Sequence, residues 1–153
     1  MRKRGKPRKV MRKDSKAALR LLSAGKPMEN EHQLNIGLNY RMAFQSLCSL
    51  HAKEEDFHNL AFSINIALIL AEMGLGKEWI EQVKAAQVGL MRCLKRSEDT
   101  GRWGLDGDAI QLLKEVMKLH DEQLEEATQK QIAQAMQEML VRLGDGDVIK
   151  LEK

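Results

Sequence analysis

The groups in this 153-residue chain that could do chemistry are four histidines and the carboxylates near them. Glu29-x-x-His32 and Glu55-x-x-His58 share a spacing that puts an acid and an imidazole on one helix face. Two such helices form the ligand set of a di-iron bundle. Both pairs, however, fall at the N-terminal ends of consecutive helices, which a short turn makes antiparallel. About one helix length, roughly 30 Å for 20 residues, then separates them, too far for one cluster to bridge. Acids at helix N-termini are in any case what the helix dipole favours.

His120-Asp121 is a second candidate. Helical metal phosphohydrolases use a separate histidine, a His-Asp pair and a later aspartate, and His58, His120, Asp121 and Asp145 or Asp147 occur in that order. But His120 lies in phase with the apolar positions Leu113, Val116, Met117 and Leu124. That phase makes it a core-edge histidine beside an exposed Asp121. Gly74-Leu75-Gly76-Lys77-Glu78 imitates the end of a phosphate-binding loop. Ala71 stands where the first glycine belongs, and Glu78 replaces the hydroxyl that would hold magnesium. Asp106-Gly107-Asp108 and Asp145-Gly146-Asp147 lack the full set of calcium ligands and read as caps and turns. The reading that follows is of a non-enzyme, with no catalytic residue, metal ligand or cofactor assigned.

Two features point to binding instead. Trp103, with Arg102, sits in the turn Gly101-Arg102-Trp103-Gly104, and the two are carried as a partner or ligand contact. Trp79 opens a helix and is expected to plug the end of a bundle. The second feature is charge. Arg2, Lys3, Arg4, Lys6, Arg8, Lys9, Arg12 and Lys13 crowd the first 13 residues, which hold no acid. The other 140 residues then carry 17 basic and 22 acidic side chains, a net −5, against +3 for the whole chain. A basic arm on an acidic body is drawn to a polyanion through the arm alone. Those eight residues are the assigned nucleic-acid contacts.

These groups need a scaffold. The most apolar stretch is Phe57–Met73, with hydrophobic residues on nearly every side of a 3.6-residue helix, so other elements must enclose it. His58, Asn59, Ser63 and Asn65 interrupt it, and it is too short for a membrane span. β-branched residues are sparse, and the only two prolines, Pro7 and Pro27, precede residue 28. The fold expected is all-α: a compact bundle of five to six helices around residues 57–73, with a basic extended arm. Its parts are the arm 1–13, a helical domain 14–144 and a short tail 145–153. The helices are placed at about 15–24, 29–52, 57–73, 77–97, 108–126 and 128–143. Thr128-x-x-Gln131 reads as a capping box at the start of the last. Asn65 is expected to bond a buried backbone group. Cys48 and Cys93 are expected to be free, buried thiols in a reducing cytosol, since the basic start lacks the apolar run of a secretion signal.

The stretches Glu78–Gln87, Gly101-Arg102-Trp103 and Leu119–Leu124, together with the Arg/Lys/Pro start Arg2–Lys9, resemble a group of small uncharacterised all-helical proteins of tailed phages and prophages of proteobacteria. The resemblance implies a mobile-element origin and a bacterial cytoplasm. It carries no activity and no functional residues. The leading expectation is a non-catalytic accessory protein of a phage or mobile element whose arm contacts nucleic acid or a host nucleoprotein complex. One alternative is an oligomeric helical protein that sequesters an anionic signalling nucleotide as an anti-defence factor. Another is a protein-protein inhibitor of a host factor. A host protein and a second copy of the chain remain open as partners, and a membrane does not.

Overall fold

The computed structural model describes residues 30–49 and 51–145, with side-chain surroundings from residue 39 onward. The arm 1–13, the helix expected at 15–24, the side chain of His32 and the tail beyond Asp145 lie outside the described residues. Within them the protein is all-helical: α1 (Asn30–Ser49), α2 (Glu54–Glu72), a 3₁₀ turn (Lys77–Trp79), α3 (Ile80–Thr100), α4 (Gly107–Glu126) and α5 (Gln129–Asp145). No described helix is long and apolar enough to cross a membrane.

α2 is the axis. Every residue from Ser63 to Ala71 is buried, which requires neighbours on all sides, and α1, α3, α4 and α5 all pack on it. It starts where Glu54, Glu55 and Asp56 fill the first turn, as the dipole favours. The Asp56 carboxylate accepts from the Lys53 backbone N–H at 2.9 Å, satisfying a donor at the helix start. Gly74 and Gly76, at φ +116° and +100°, end it. The positive φ is what calls for glycine at Gly76, and the Leu119 side chain of α4 packs over it, Cδ1 only 2.8 Å from where a Cβ would stand.

α3 and α4 are joined by Asp106. Its carboxylate caps α4 by accepting from Ala109 N at 2.8 Å, and it accepts from Arg92 Nε at 2.7 Å. The Arg92 hydrogen bond, with Ala109 N–H and Arg96 adding to it, holds the Asp106 carboxyl at a pKa of about 2. Arg96 reaches the Gly104 carbonyl at 2.5 Å. Gly89 on α3 sits against Ala109, where a Cβ would come within 2.8 Å of the Ala109 Cβ. α5 starts on the expected box: Thr128 N–H donates to Gln131 Oε1 at 2.9 Å, and Gln131 N–H to Thr128 Oγ1 at 3.1 Å. Among the described residues its only extensive helix contact is with α2. Arg142 fastens its far end, donating to Glu72 at 2.6 Å and Glu138 at 2.9 Å.

Several expectations need correcting. Cys48 is exposed, and only Cys93 is buried. A helical position does not fix burial, and Cys48 falls on the outer side of α1 while Leu47 takes the core. Asn65 bonds a side chain rather than backbone: Gln87 Nε2 donates to its Oδ1 at 2.8 Å, and its own Nδ2 has no partner. Asp121 is half-buried and paired rather than exposed and free. The last helix runs through Gly144 to Asp145, one residue into the expected tail. Leu140 of this helix is 37% exposed.

Candidate functional site

Among the described residues α5 packs extensively on α2 and not on α1 or α4, leaving a gap beside it. A cavity of about 240 Å³ fills that gap. Phe62 and Ile66 of α2, Leu124 of α4, and Ile132 and Met136 of α5 form its apolar wall. Ser63 and His120 are the buried polar residues on it, and Asn39 and Asn59, both exposed, mark its solvent edge.

His120 is 1% exposed, and its surroundings explain its state. Burial drives its pKa down to about 4, against which the Gln123 hydrogen bond works only in part. The ring is therefore neutral near pH 7. Its Nδ1 lies 3.0 Å from Gln123 Oε1. Gln123, itself 2% exposed, donates through Nε2 to Ala67 O at 3.0 Å and Leu75 O at 2.9 Å. One side chain thus ties the His120 ring to the last turns of α2 and to the glycine turn beyond. Tyr40 packs on the other side, ring centroids 5.2 Å apart. Its hydroxyl donates to Asp121, which also pairs with Arg41, and Met117 O lies 3.3 Å from the same oxygen. Burial pushes the Tyr40 hydroxyl up to about 12. Asp121 is committed to α1, on a different side of α4 from the cavity that His120 lines.

A second depression, an open groove of about 750 Å³, runs between α1 and α4 and is lined by Arg41, Cys48, Lys114, Lys118, Gln111 and Glu115 among others. Arg41 there is bound to Asp121. At the other candidate position, Trp103 is a half-buried plug. Its ring stacks at 37° on Phe57, centroids 5.1 Å apart, and its backbone bridges to Ala52. Arg102 stays exposed and makes no ion pair among the described residues. The Glu-x-x-His pair of α2 does not assemble: His58 lies 3.6 Å from Glu54, and its buried Nε2 has no hydrogen-bond partner. No group of three or more His, Cys, Asp or Glu able to hold a metal occurs among the described residues. The eight arm residues Arg2 to Lys13 lie outside them.

Sequence reasoning found His120 but missed Gln123 and the cavity. The signal for Gln123 was present. It stands three residues after His120 and seven after Val116, on the buried face of α4, where a polar residue must find internal partners. The cavity had no such signal, because it depends on where α5 comes to rest. Compared with protein-family models, with curated proteins and with solved structures, the chain finds no match.

Proposed function

We propose that this is a non-catalytic binding protein of a phage or other mobile element, in which the helical body carries a basic arm that engages nucleic acid or a nucleoprotein complex. The observation that carries the reading is charge segregation: eight cations and no acid in residues 1–13, and net −5 in the rest. The body adds a second support. Four of its five described arginines are spent on carboxylates: Arg41 on Asp121, Arg92 and Arg96 on Asp106, and Arg142 on Glu72 and Glu138. The arm therefore holds the densest run of cations with no acid in sequence to neutralise them. The test is duplex binding as a function of salt. Each phosphate neutralised contributes about −0.9 to the slope of log K against log salt, so eight contacts set a limit near −7 and four give about −3.6. Removal of residues 1–13 should abolish binding and leave the melting temperature of the body unchanged. No affinity of the full chain at low salt would refute the reading, as would undiminished binding by the truncated chain.

A second reading, an anionic small ligand held by the bundle, has one observation in its favour. Among the described residues, the wall of the α1–α4 groove sets Lys114 and Lys118 against the single acid Glu115, with Arg41 already paired to Asp121. A nucleotide that binds the truncated chain, and is lost in Lys114→Ala with Lys118→Ala, would support it.

A further inference from the structure

The cavity between α5 and the rest of the bundle has a polar wall whose hydrogen-bonding direction can be derived. Gln123 Nε2 lies within hydrogen-bond distance of two carbonyl oxygens, Ala67 O and Leu75 O. Carbonyls only accept, so the amide nitrogen must face them and Oε1 must face the imidazole. An amide oxygen also only accepts. His120 Nδ1, 3.0 Å from it, therefore carries the proton. In a neutral imidazole the other nitrogen is then a lone-pair acceptor. His120 Nε2 is thus fixed as an acceptor by two carbonyls of another helix and its following turn, relayed through Gln123. It makes no hydrogen bond among the described residues, and His120 lines the cavity. Ser63, 7% exposed, lines the same cavity, and its hydroxyl likewise makes no hydrogen bond among the described residues.

An unpartnered acceptor and an unpartnered hydroxyl stand on one otherwise apolar wall and face accessible space, so a polar group held there could pair with both. We propose that the cavity is a binding site for a small neutral aromatic alcohol, whose hydroxyl donates to His120 Nε2 and accepts from Ser63 Oγ–H. The ring and its substituents would lie against Phe62, Ile66, Leu124, Ile132 and Met136. A hydroxyl is the simplest group that does both jobs, because it donates once and accepts from its lone pairs. An anion is disfavoured: no cation among the described residues lines the cavity, and the neutral acceptor would repel a carboxylate or phosphate. Size fits a single substituted ring. A dry cavity of about 150 Å³ accepts benzene, and this one measures about 240 Å³. The site is independent of the basic arm and of the polyanion reading.

The test uses the full-length chain and two probes, p-cresol and its methyl ether 4-methylanisole, which lacks the donor. Binding is followed by calorimetry and by the nitrogen resonances of ¹⁵N-labelled histidine. p-Cresol should bind and shift the His120 Nε2 signal, with nuclear Overhauser contacts from its ring to the Met136 methyl. 4-Methylanisole should bind about tenfold more weakly, the equivalent of one lost hydrogen bond. Ser63→Ala should weaken both probes, because the ether oxygen of 4-methylanisole still accepts from the Ser63 hydroxyl. Met136→Trp should fill the cavity and abolish binding of both; if it does not fold, the Met136 contact in the wild type decides the location. Three results would each overturn the proposal: no p-cresol binding at millimolar concentration, equal affinity for the two probes, or p-cresol contacts that avoid Met136 and His120.

Discussion

Gln123→Met isolates the polar relay from packing. Methionine keeps the unbranched length and the apolar stem of glutamine but removes its donor and acceptor. In the wild type, Gln123 satisfies Leu75 O, a second lone pair on Ala67 O and the His120 Nδ1–H, all buried or half-buried. Ala67 O stays within the hydrogen-bonding pattern of α2, so its loss is minor. Leu75 O and the His120 N–H each lose a partner, at about 1–3 kcal/mol apiece. The more apolar side chain returns roughly 1–2 kcal/mol through burial. At the centre of these ranges the net loss is about 2.5 kcal/mol, and a domain of this size shifts by about 2–4 °C in Tm per kcal/mol. The assay is thermal and urea unfolding, with histidine nitrogen spectra recorded on the same samples. Without Gln123 the imidazole is no longer held in one tautomer, so the Nε2–H form should become populated. A variant as stable as the wild type, or one with the His120 tautomer unchanged, would refute the relay and the acceptor assignment that rests on it.

Gly89→Ala should destabilise by about 1–2 kcal/mol despite the gain in helix propensity, because its Cβ would meet Ala109 Cβ at 2.8 Å; pairing it with Ala109→Gly should restore part of the loss in urea unfolding. Asp106→Ala should cost about 1–2 kcal/mol through the lost α4 cap. The Asp106 pKa, depressed to about 2, adds a pH signature: the wild-type contribution is complete above the unfolded value near 4 and is lost as pH falls toward 2. His120 acts in a different window. Its folded pKa of about 4 lies below the unfolded value near 6.5, so the unfolded chain takes up the proton first and stability falls as pH drops from about 6.5 to about 4. Tyr40 stays neutral there, so His120→Gln should flatten that window in a pH series of urea midpoints. Asn65→Leu should change stability by less than about 1 kcal/mol, since Asn65 Nδ2 is already unpartnered and half-buried Gln87 can turn to water.

The helical frame was legible because its signals are local. The apolar run of α2, the acids at its start, the glycines at its end and the Thr128–Gln131 box each act within a few residues, and each is present. The phase of His120 with Leu113, Val116 and Leu124 predicted a position at the core edge, and burial goes further, to 1% exposure. Positions that depend on a second helix were not legible. Asn65 and Gln87 stand 22 residues apart, and Gln123 bonds carbonyls 48 and 56 residues away. Cys48 and Leu47 are adjacent on one helix, and only the approach of α2 and α4 decides which of them is covered. The candidate site shares that dependence, because its walls come from four helices and its volume from the tilt of one.

The attachment of α5 has a consequence for how the molecule opens. Among the described residues, α5 is held by one neighbouring helix, one capping box and one arginine clamp, fewer contacts to break than those that enclose α2 on all sides. Such elements detach below the global unfolding free energy. In native-state hydrogen exchange, α5 amides should form a separate, faster class, while those of Ser63–Ala71 exchange only when the whole domain unfolds. Each excursion of α5 would bare the cavity wall that Ile132 and Met136 now cover, adding a second and wider way in beside the solvent edge at Asn39 and Asn59.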